Sequence, residues 1–200
     1  MLMNDNRVKR GFCCFLLASV SSVTGPRAVQ AIEERVLLVD EYRERMKAAW
    51  VGQMVGVQWG SPTEFKFKDA VIPEAHVPEW KPEMIDGAFD NDDLYVEMTF
   101  LKTLADYGLD APIRQAGLDF ANSEYNLWCA NDAGRINLRK GIAPPDSSHP
   151  AYNRRSNDID YQIEADYAGI ISPGCPQNAI ALGRTFGRLM NFCDGSWEES

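Results

Sequence analysis

The sequence is short of the residues and motifs on which many enzyme classes depend. Histidine occurs only twice in 200 residues, as His76 and His149, which argues against histidine-based triads and histidine-rich metal sites. None of the motifs GxxxxGK[ST], GxGxxG or GxSxG occurs, so a phosphate-binding loop, a dinucleotide fingerprint and a nucleophile elbow have no sequence support. Catalytic chemistry in this chain therefore has to come from other side chains.

Basic residues are also in the minority. Lysine and arginine number 20 against 29 acidic residues, which gives a formal net charge of -9. Proteins that follow the nucleic-acid backbone gain affinity from lysine and arginine, so we expect no nucleic-acid partner. The hydrophobic fraction of 45% is nevertheless enough for one globular domain.

No apolar run is long enough to span a bilayer. The longest, residues 11–23, follows three basic residues and precedes small residues at the two positions that a signal peptidase reads. We therefore predict a secretory signal peptide over residues 1–31, cleaved after Ala31, and a helical domain over residues 32–200. The protein is then secreted or periplasmic, with no stable membrane span after cleavage. A buried N-terminal helix is the alternative.

Cysteine is too sparse for a disulfide framework. Beyond the predicted signal peptide only Cys129, Cys175 and Cys193 remain, far apart and without close Cys–Cys or Cys–His spacing. This pattern predicts neither a disulfide-rich fold nor a zinc site. The pairing of these three residues stays open.

Strand patterns of convincing length are missing, whereas helical periodicity runs through most of the chain. This predicts an all-α fold, a multi-helix bundle. The small residues Ala48, Gly52, Gly56 and Gly60 are spaced four apart, so a second helix is expected to approach this face closely. The predicted helices cover residues 33–58, 110–122, 132–140, 158–171 and 176–191, together with one from Asn91–Asp93 to Gly108, and a long ordered loop covers residues 65–89.

The densest group of candidate metal ligands is Asp90–Asp93, at the start of an apolar helix. Consecutive oxygen-bearing side chains there can converge on one hard cation such as Mg²⁺. The alternative is helix capping, because Asn or Asp at the N-cap and acids in the first turn complement the helix dipole without any metal.

Two further sets of acidic residues are candidates for a functional role. Glu64 follows the small-residue helix and could act as a general base or hold a water, although a lone loop glutamate is more often a solvated charge. Asp160 and Glu164 lie four apart, with Asp158 two residues earlier. Like charges at this spacing repel, and an ordinary exposed acidic face is the simpler interpretation.

Three motifs in order resemble the ADP-ribosylglycohydrolase family, which includes the dinitrogenase-reductase-activating glycohydrolase. They are the segment Gly60–Phe65 after a small-residue helix, Asn91–Asp93 at a helix start, and Ala168–Pro176 before a further helix. The resemblance covers about residues 40–195. It implies an orthogonal all-α bundle in which two Mg²⁺ ions grip the ribose hydroxyls while an N-glycosidic bond is hydrolysed.

The resemblance also implies roles for particular residues. Asp92 and Asp93 match metal ligands, with Asn91 where the family usually has Thr. Glu64 matches the active-site glutamate, which positions the attacking water or closes over the ribose. The stretch Asp158–Ile159–Asp160 replaces the family's Gly-Asn-Gly, so Asp158 and Asp160 are the expected substrate contacts.

One element of the family pattern is missing from the sequence. The family carries an Asp-x-Asp motif near its C-terminus that completes the dinuclear site, and this sequence reaches Ser200 before such a position. The expectation is therefore an N-terminal fragment with an incomplete second metal site.

The leading hypothesis is a magnesium-dependent hydrolase acting on a small-molecule or protein-linked ribosyl substrate. A non-catalytic helical domain that binds a ribose-containing ligand or a protein partner is the rival. A third interpretation is an N-glycosidase for free nucleosides or related sugars, which suits an exported protein.

Overall fold

A computed structural model describes residues 36–192 of the chain. The predicted signal peptide lies outside the described residues, so signal cleavage and export stay predictions. No helix within residues 36–192 is long and apolar enough to cross a membrane.

The described part of the chain is all-α, as predicted, and contains no strand. Short 3₁₀ helices supplement the α-helices in the connections, including the segment 65–89 that was predicted as a loop. The α-helices are α1 (Val39–Gly60), α2 (Asp92–Tyr107), α3 (Ile113–Ala121), α4 (Cys129–Arg139), α5 (Asp160–Ile163), α6 (Asp166–Ile170) and α7 (Pro176–Phe186). The 3₁₀ helices are Ser61–Thr63, Glu74–His76, Pro82–Asp90, Asp146–Ser148 and Gly187–Leu189.

An aromatic cluster forms the centre of the core. Phe100 on α2 lies at its middle, with ring centroids 4.8 Å from Phe186, 5.6 Å from Tyr167 and 6.1 Å from Phe120. All four side chains are completely buried. Each such side chain contributes roughly 1.5–3 kcal/mol through burial, so this cluster fixes α2, α3, α6 and α7 against one another.

Helix α1 contacts this body through large side chains instead of the small-residue face. Trp50 packs against the core, and the Tyr42 hydroxyl donates to the Ile170 carbonyl at 3.1 Å. A Cβ atom placed on Gly52 or Gly56 would meet nothing within 4 Å. The expected helix contact at the small-residue face is therefore absent from the described structure.

The single helix predicted over residues 158–171 is wrong. The segment forms α5 and α6, separated at Glu164 and Ala165. Asp160 and Glu164 are buried, not exposed as the simpler interpretation expected, and both accept hydrogen bonds from Asn131 of α4. These tertiary hydrogen bonds outweigh the local helical periodicity and break the helix.

Several helix boundaries also differ from the predictions. Helix α1 begins at Val39 and not at residue 33, and helix α4 begins at Cys129 and not at residue 132. Pro112 is the N-cap of α3 and lies outside its first turn. Helix α7 ends at Phe186, and the chain turns so closely over α4 that a Cβ on Gly134 would lie 2.6 Å from the Leu189 carbonyl oxygen. The 3₁₀ helix Gly187–Leu189 therefore replaces the last turn of the helix that the sequence pattern predicted up to residue 191.

Candidate active site

The N-terminus of α2 is the structural centre of the candidate site. The 3₁₀ helix Pro82–Asp90 leads directly into Asn91, whose side-chain oxygen accepts a hydrogen bond from the Asp93 N–H at 3.0 Å. This confirms the capping interpretation for Asn91. The carboxylates of Asp92 and Asp93 lie in the first turn, where the helix dipole favours negative charge.

Asp92 and Asp93 are half-buried, and burial is the main influence on both carboxyl groups. Burial raises the pKa of Asp92, while hydrogen bonds from the N–H groups of Asp92 and Asp93 partly offset the rise. The pKa of Asp93 is raised to about 7, first by burial and then by the negative charges of Asp92, Asp166 and Glu64. The charge of Glu64 therefore reaches Asp93, and the catalytic role of Glu64 stays a prediction.

Glu64 reaches this position because α1 ends in a tight 3₁₀ turn. The turn Ser61–Thr63 is closed by the Glu64 N–H, which donates to the Ser61 carbonyl at 3.2 Å. The following residue, Phe65, has a φ of 58°, a left-handed conformation that bulky residues rarely adopt. Glu64 itself is exposed, so its carboxylate is open to water and to a bound substrate.

Asp166 is a site residue that the sequence reasoning missed. It opens α6, which packs against α2, and its negative charge raises the pKa values of both Asp93 and Glu97. Its sequence signal was weak, because Asp166 is one more acid in a segment whose other acids were interpreted as an exposed face.

Glu97 is a second missed residue, and it lies one helical turn after Asp93. It is completely buried on α2, and burial raises its pKa to about 8, followed by the charge of Asp166. Gln53 and the N–H groups at Asp166 and Tyr167 lower its pKa in part, yet neither carboxylate oxygen has a hydrogen bond of standard geometry among the described residues. The sequence contained a signal for Glu97, because this residue occupies a buried position in the helical periodicity of α2.

Glu164 is a further buried acid, on which the charges of the α2 aspartates and of Asp160 act. It is completely buried, and its pKa is raised first by burial and then by the charges of Asp160, Asp92 and Asp93, while the hydrogen bond from Asn131 lowers it. One oxygen of Glu164 accepts from the Asn131 amide, and the other has no hydrogen-bond partner among the described residues.

The predicted substrate contacts Asp158 and Asp160 lie beside α4. Asp160 accepts from the Asn131 N–H at 2.9 Å, and Asp158 forms an ion pair with Arg155 at 3.4 Å. The charges of Asp160 and Asp158 both act on the thiol of Cys129, which is largely exposed. The pKa of this thiol is raised first by partial desolvation and then by these two charges. Their role in substrate binding stays a prediction.

The donor set at α2 fits Mg²⁺ in chemical type. Magnesium prefers oxygen ligands, keeps several waters and is often held by one or two carboxylates. Asp92 and Asp93 supply such a pair, and their pKa values are raised by burial and, for Asp93, by neighbouring negative charges that a bound cation would offset. Within residues 36–192 no three His, Cys, Asp or Glu side chains lie close enough together to chelate one ion.

The described cysteines, Cys129 and Cys175, are both free thiols. Cys193 lies outside the described residues, so whether it forms a disulfide stays open.

Comparison with known proteins identifies one family. No curated protein and no solved structure matches the chain. The model of the ADP-ribosylglycohydrolase family matches residues 38–198, a stretch that contains the α2 acids, Glu64 and the segment from Asp158 to Asp166. The all-α architecture agrees with this family, and a glycohydrolase-like function follows at the family level. The chain belongs to the ADP-ribosylglycohydrolase family.

Proposed function

We propose that the protein is a magnesium-dependent hydrolase that cleaves the N-glycosidic bond of ADP-ribose conjugates or of a related ribosyl compound. The observation that carries this proposal is the group of acids at the N-terminus of α2. Burial and the neighbouring charges of Asp92, Asp166 and Glu64 raise the pKa of Asp93 to about 7. Strongly perturbed acids gathered at one place are typical of functional sites.

Asp92 and Asp93 are the residues that would hold Mg²⁺, with the amide oxygen of Asn91 as a further donor. When bound, the metal supplies polarisation of its oxygen ligands and orients the ribose diol. The first turn of α2 fixes the two aspartates on a rigid element. Packing of Phe100 against Phe186 anchors that helix in the core, so the carboxylates are held in place before substrate arrives.

Glu64 is the proposed general base that activates the attacking water. Its carboxylate is exposed and acts on Asp93 through its charge, so it can accept a proton from a water beside the bound ribose. The water oxygen bonds to the anomeric carbon, the carbon–nitrogen bond breaks, and the nitrogen keeps the electron pair and takes up a proton.

The non-catalytic alternative is supported by one observation. Within residues 36–192 no group of three potential ligands is arranged for chelation, which is what a binding domain without a metal site would show. This alternative predicts ribose binding that does not depend on Mg²⁺ and is not followed by turnover.

A substrate panel with a matched pair of variants separates these functions. We expect the wild-type chain to hydrolyse ADP-ribosyl-arginine or a nucleoside in Mg²⁺ and to lose activity in EDTA. Asp93→Ala should lower kcat/KM by roughly 10–100-fold or more. Asp40→Ala, on the exposed side of α1, is the control and should behave as wild type. Equal activity of the two variants would refute the proposal, and Mg²⁺-independent binding without turnover would favour the alternative.

A further inference from the structure

Two side chains at the junction of α1 and α2 have buried polar atoms without a partner. Glu97 of α2 is completely buried, and the side-chain amide of Gln53 of α1 reaches its carboxyl group. Both oxygens of Glu97 and both amide atoms of Gln53 are closed to water, yet none of the four has a hydrogen bond of standard geometry among the described residues. The junction therefore holds four unpaired polar atoms and has no room for a water that could bridge them.

A proton on Glu97 satisfies these atoms. A protonated carboxyl group has one O–H donor and a free acceptor oxygen, and a carboxamide has N–H donors and one acceptor oxygen. The Glu97 O–H can then donate to the Gln53 oxygen, while the Gln53 N–H donates to the other Glu97 oxygen. If Glu97 is ionised, it offers no donor, and the Gln53 oxygen is left as a buried acceptor beside a negative charge.

The titratable groups around Glu97 favour its neutral form. Asp166 and Tyr167 of α6 and Tyr161 of α5 surround it, and Asp93 precedes it by one turn on α2. The N–H groups at Asp166 and Tyr167 favour the carboxylate, but burial and the charge of Asp166 outweigh them and raise the pKa of Glu97 to about 8. From α1 comes only an uncharged amide.

A second pair of the same kind occurs at Asn131 and Glu164, where one of the two hydrogen bonds is already formed. The Asn131 amide donates to one oxygen of Glu164, and the other oxygens of the two side chains are buried and unpaired. One proton on Glu164 would complete this pair in the same way. Both completely buried glutamates within residues 36–192 thus lie against a carboxamide.

Helix α1 has little else that fastens it to helices α2–α7. None of its residues is buried, the Tyr42 hydroxyl donates to the Ile170 carbonyl, and Trp50 packs against the core. Gly52 and Gly56 lower its intrinsic helicity, and an isolated helix is marginal in water. We therefore expect α1 to lose its helical hydrogen bonds once it separates from the other helices.

We propose that Gln53 and Glu97 form a proton-dependent joint, in which protonated Glu97 holds α1 on helices α2–α7 and loss of that proton to solvent water releases α1. Because α1 ends in the turn Ser61–Thr63 that leads to Glu64, its release also moves Glu64 relative to the α2 acids. Only this last consequence rests on the proposed function.

The direction of the pH dependence follows from the two states of the joint. In the closed joint Glu97 has a pKa of about 8, and in the open one it is hydrated and has an ordinary pKa of about 4.3. The closed joint therefore binds more protons between these values. The ratio of open to closed joints rises with pH in this window, by up to about tenfold per pH unit.

Hydrogen exchange of the full chain, followed by mass spectrometry in EDTA and without substrate, tests the joint. After correction for the intrinsic exchange rate at each pH, the protection of α1 peptides should fall by about tenfold or more from pH 5 to pH 8 and stay below that of α3 peptides. Glu97→Gln keeps a neutral amide at every pH, so its α1 should be protected equally at both pH values. Glu44→Gln, at an exposed position of α1, is the matched control and should keep the pH dependence of wild type.

Three results would overturn the inference. They are equal α1 protection in wild type at pH 5 and pH 8, a pH dependence in Glu97→Gln like that of wild type, and equal protection of α1 and α3 peptides, which means that α1 opens only when the whole domain unfolds. If Glu97→Gln does not fold, Gln53→Ala replaces it and should leave α1 poorly protected at both pH values, whereas protection like that of wild type at pH 5 would overturn the joint. No substrate or metal enters these measurements, so a failure of the proposed function remains distinguishable from a failure of the joint.

Discussion

Helix α1 and the N-terminal region of α2 both carry several acids, but the burial of these acids and the charges around them differ. On α1 each of three acids has a basic partner one turn away: Asp40 with Arg43, Glu41 with Arg45, and Glu44 with Lys47. Around α2 the acids Asp93, Glu97 and Glu164 are buried in whole or in part, and the charges that act on them come mainly from other acids.

This difference distinguishes solvated surface charges from buried charges that have a functional role. Exposed ion pairs contribute about 0–1 kcal/mol each and explain only solubility and helix support. Buried acids close to other acids cost free energy, so a fold keeps them where something else requires them. The contrast supports placing the glycohydrolase chemistry at α2 rather than along α1.

The largest effect should come from removing the charge of a buried acid at the site. The pKa of Glu97 is about 8 in the folded chain and about 4.3 in an unfolded one. The folded state therefore binds more protons between these values, and stability falls as pH rises through this window, by up to about 1.4 kcal/mol per pH unit. Glu97→Gln removes this dependence. In EDTA, denaturant unfolding should show the variant to be more stable than wild type at pH 8 and equal to it near pH 4.

If the difference in unfolding free energy between wild type and Glu97→Gln stayed constant from pH 4 to pH 8, this result would contradict the buried, protonated state of Glu97. The matched control is Ala49→Gln at an exposed position of α1, which introduces no titratable group and should keep the pH dependence of wild type.

Breaking the contact that holds Glu164 should have the next largest effect. Asn131→Ala removes the amide that donates to Glu164 and leaves a buried carboxyl group without that partner. We expect a loss of about 1–3 kcal/mol in the free energy of unfolding. Asn178→Ala, at an exposed position of α7, is the control and should change stability little. Equal stability of the two variants would show that the Asn131–Glu164 contact is not needed by the fold.

The smallest effect should come from the charge pairs of α1. Glu41→Gln breaks the exposed pair with Arg45, whose nitrogen lies 2.7 Å from the Glu41 oxygen. We expect a loss of about 0.3–0.5 kcal/mol that fades in high salt. A loss above 1 kcal/mol, insensitive to salt in thermal unfolding, would remove the contrast between the two regions.

The sequence predicted α2 well because its signals are local. Asn91 caps the helix, apolar residues recur with helical spacing, and Gly108 ends it with a φ of 85°. Local patterns could not predict the break between α5 and α6, because it depends on Asn131, about 30 residues away.

The candidate site was predictable only in part for the same reason. The first turn of α2 and Glu64 stand out in the sequence through their motifs, and their roles in the site stay predictions. Asp166 and Glu97 were missed, since their importance comes from burial and from proximity to Asp93. The small residues of α1 predicted a close helix contact, but the larger Trp50 and Tyr42 make the contacts that the structure shows.

The most direct test of the account is the pKa of the Asp93 carboxyl group, measured by NMR with labelled aspartate and assigned with Asp93→Asn. Without metal the account predicts a pKa of about 7, because burial and the neighbouring acids disfavour the charged form. With saturating Mg²⁺ the pKa should fall well below this value, since a bound cation favours the carboxylate. An ordinary pKa near 4 without metal, or the same pKa with and without Mg²⁺, would contradict a magnesium-dependent site at the N-terminus of α2.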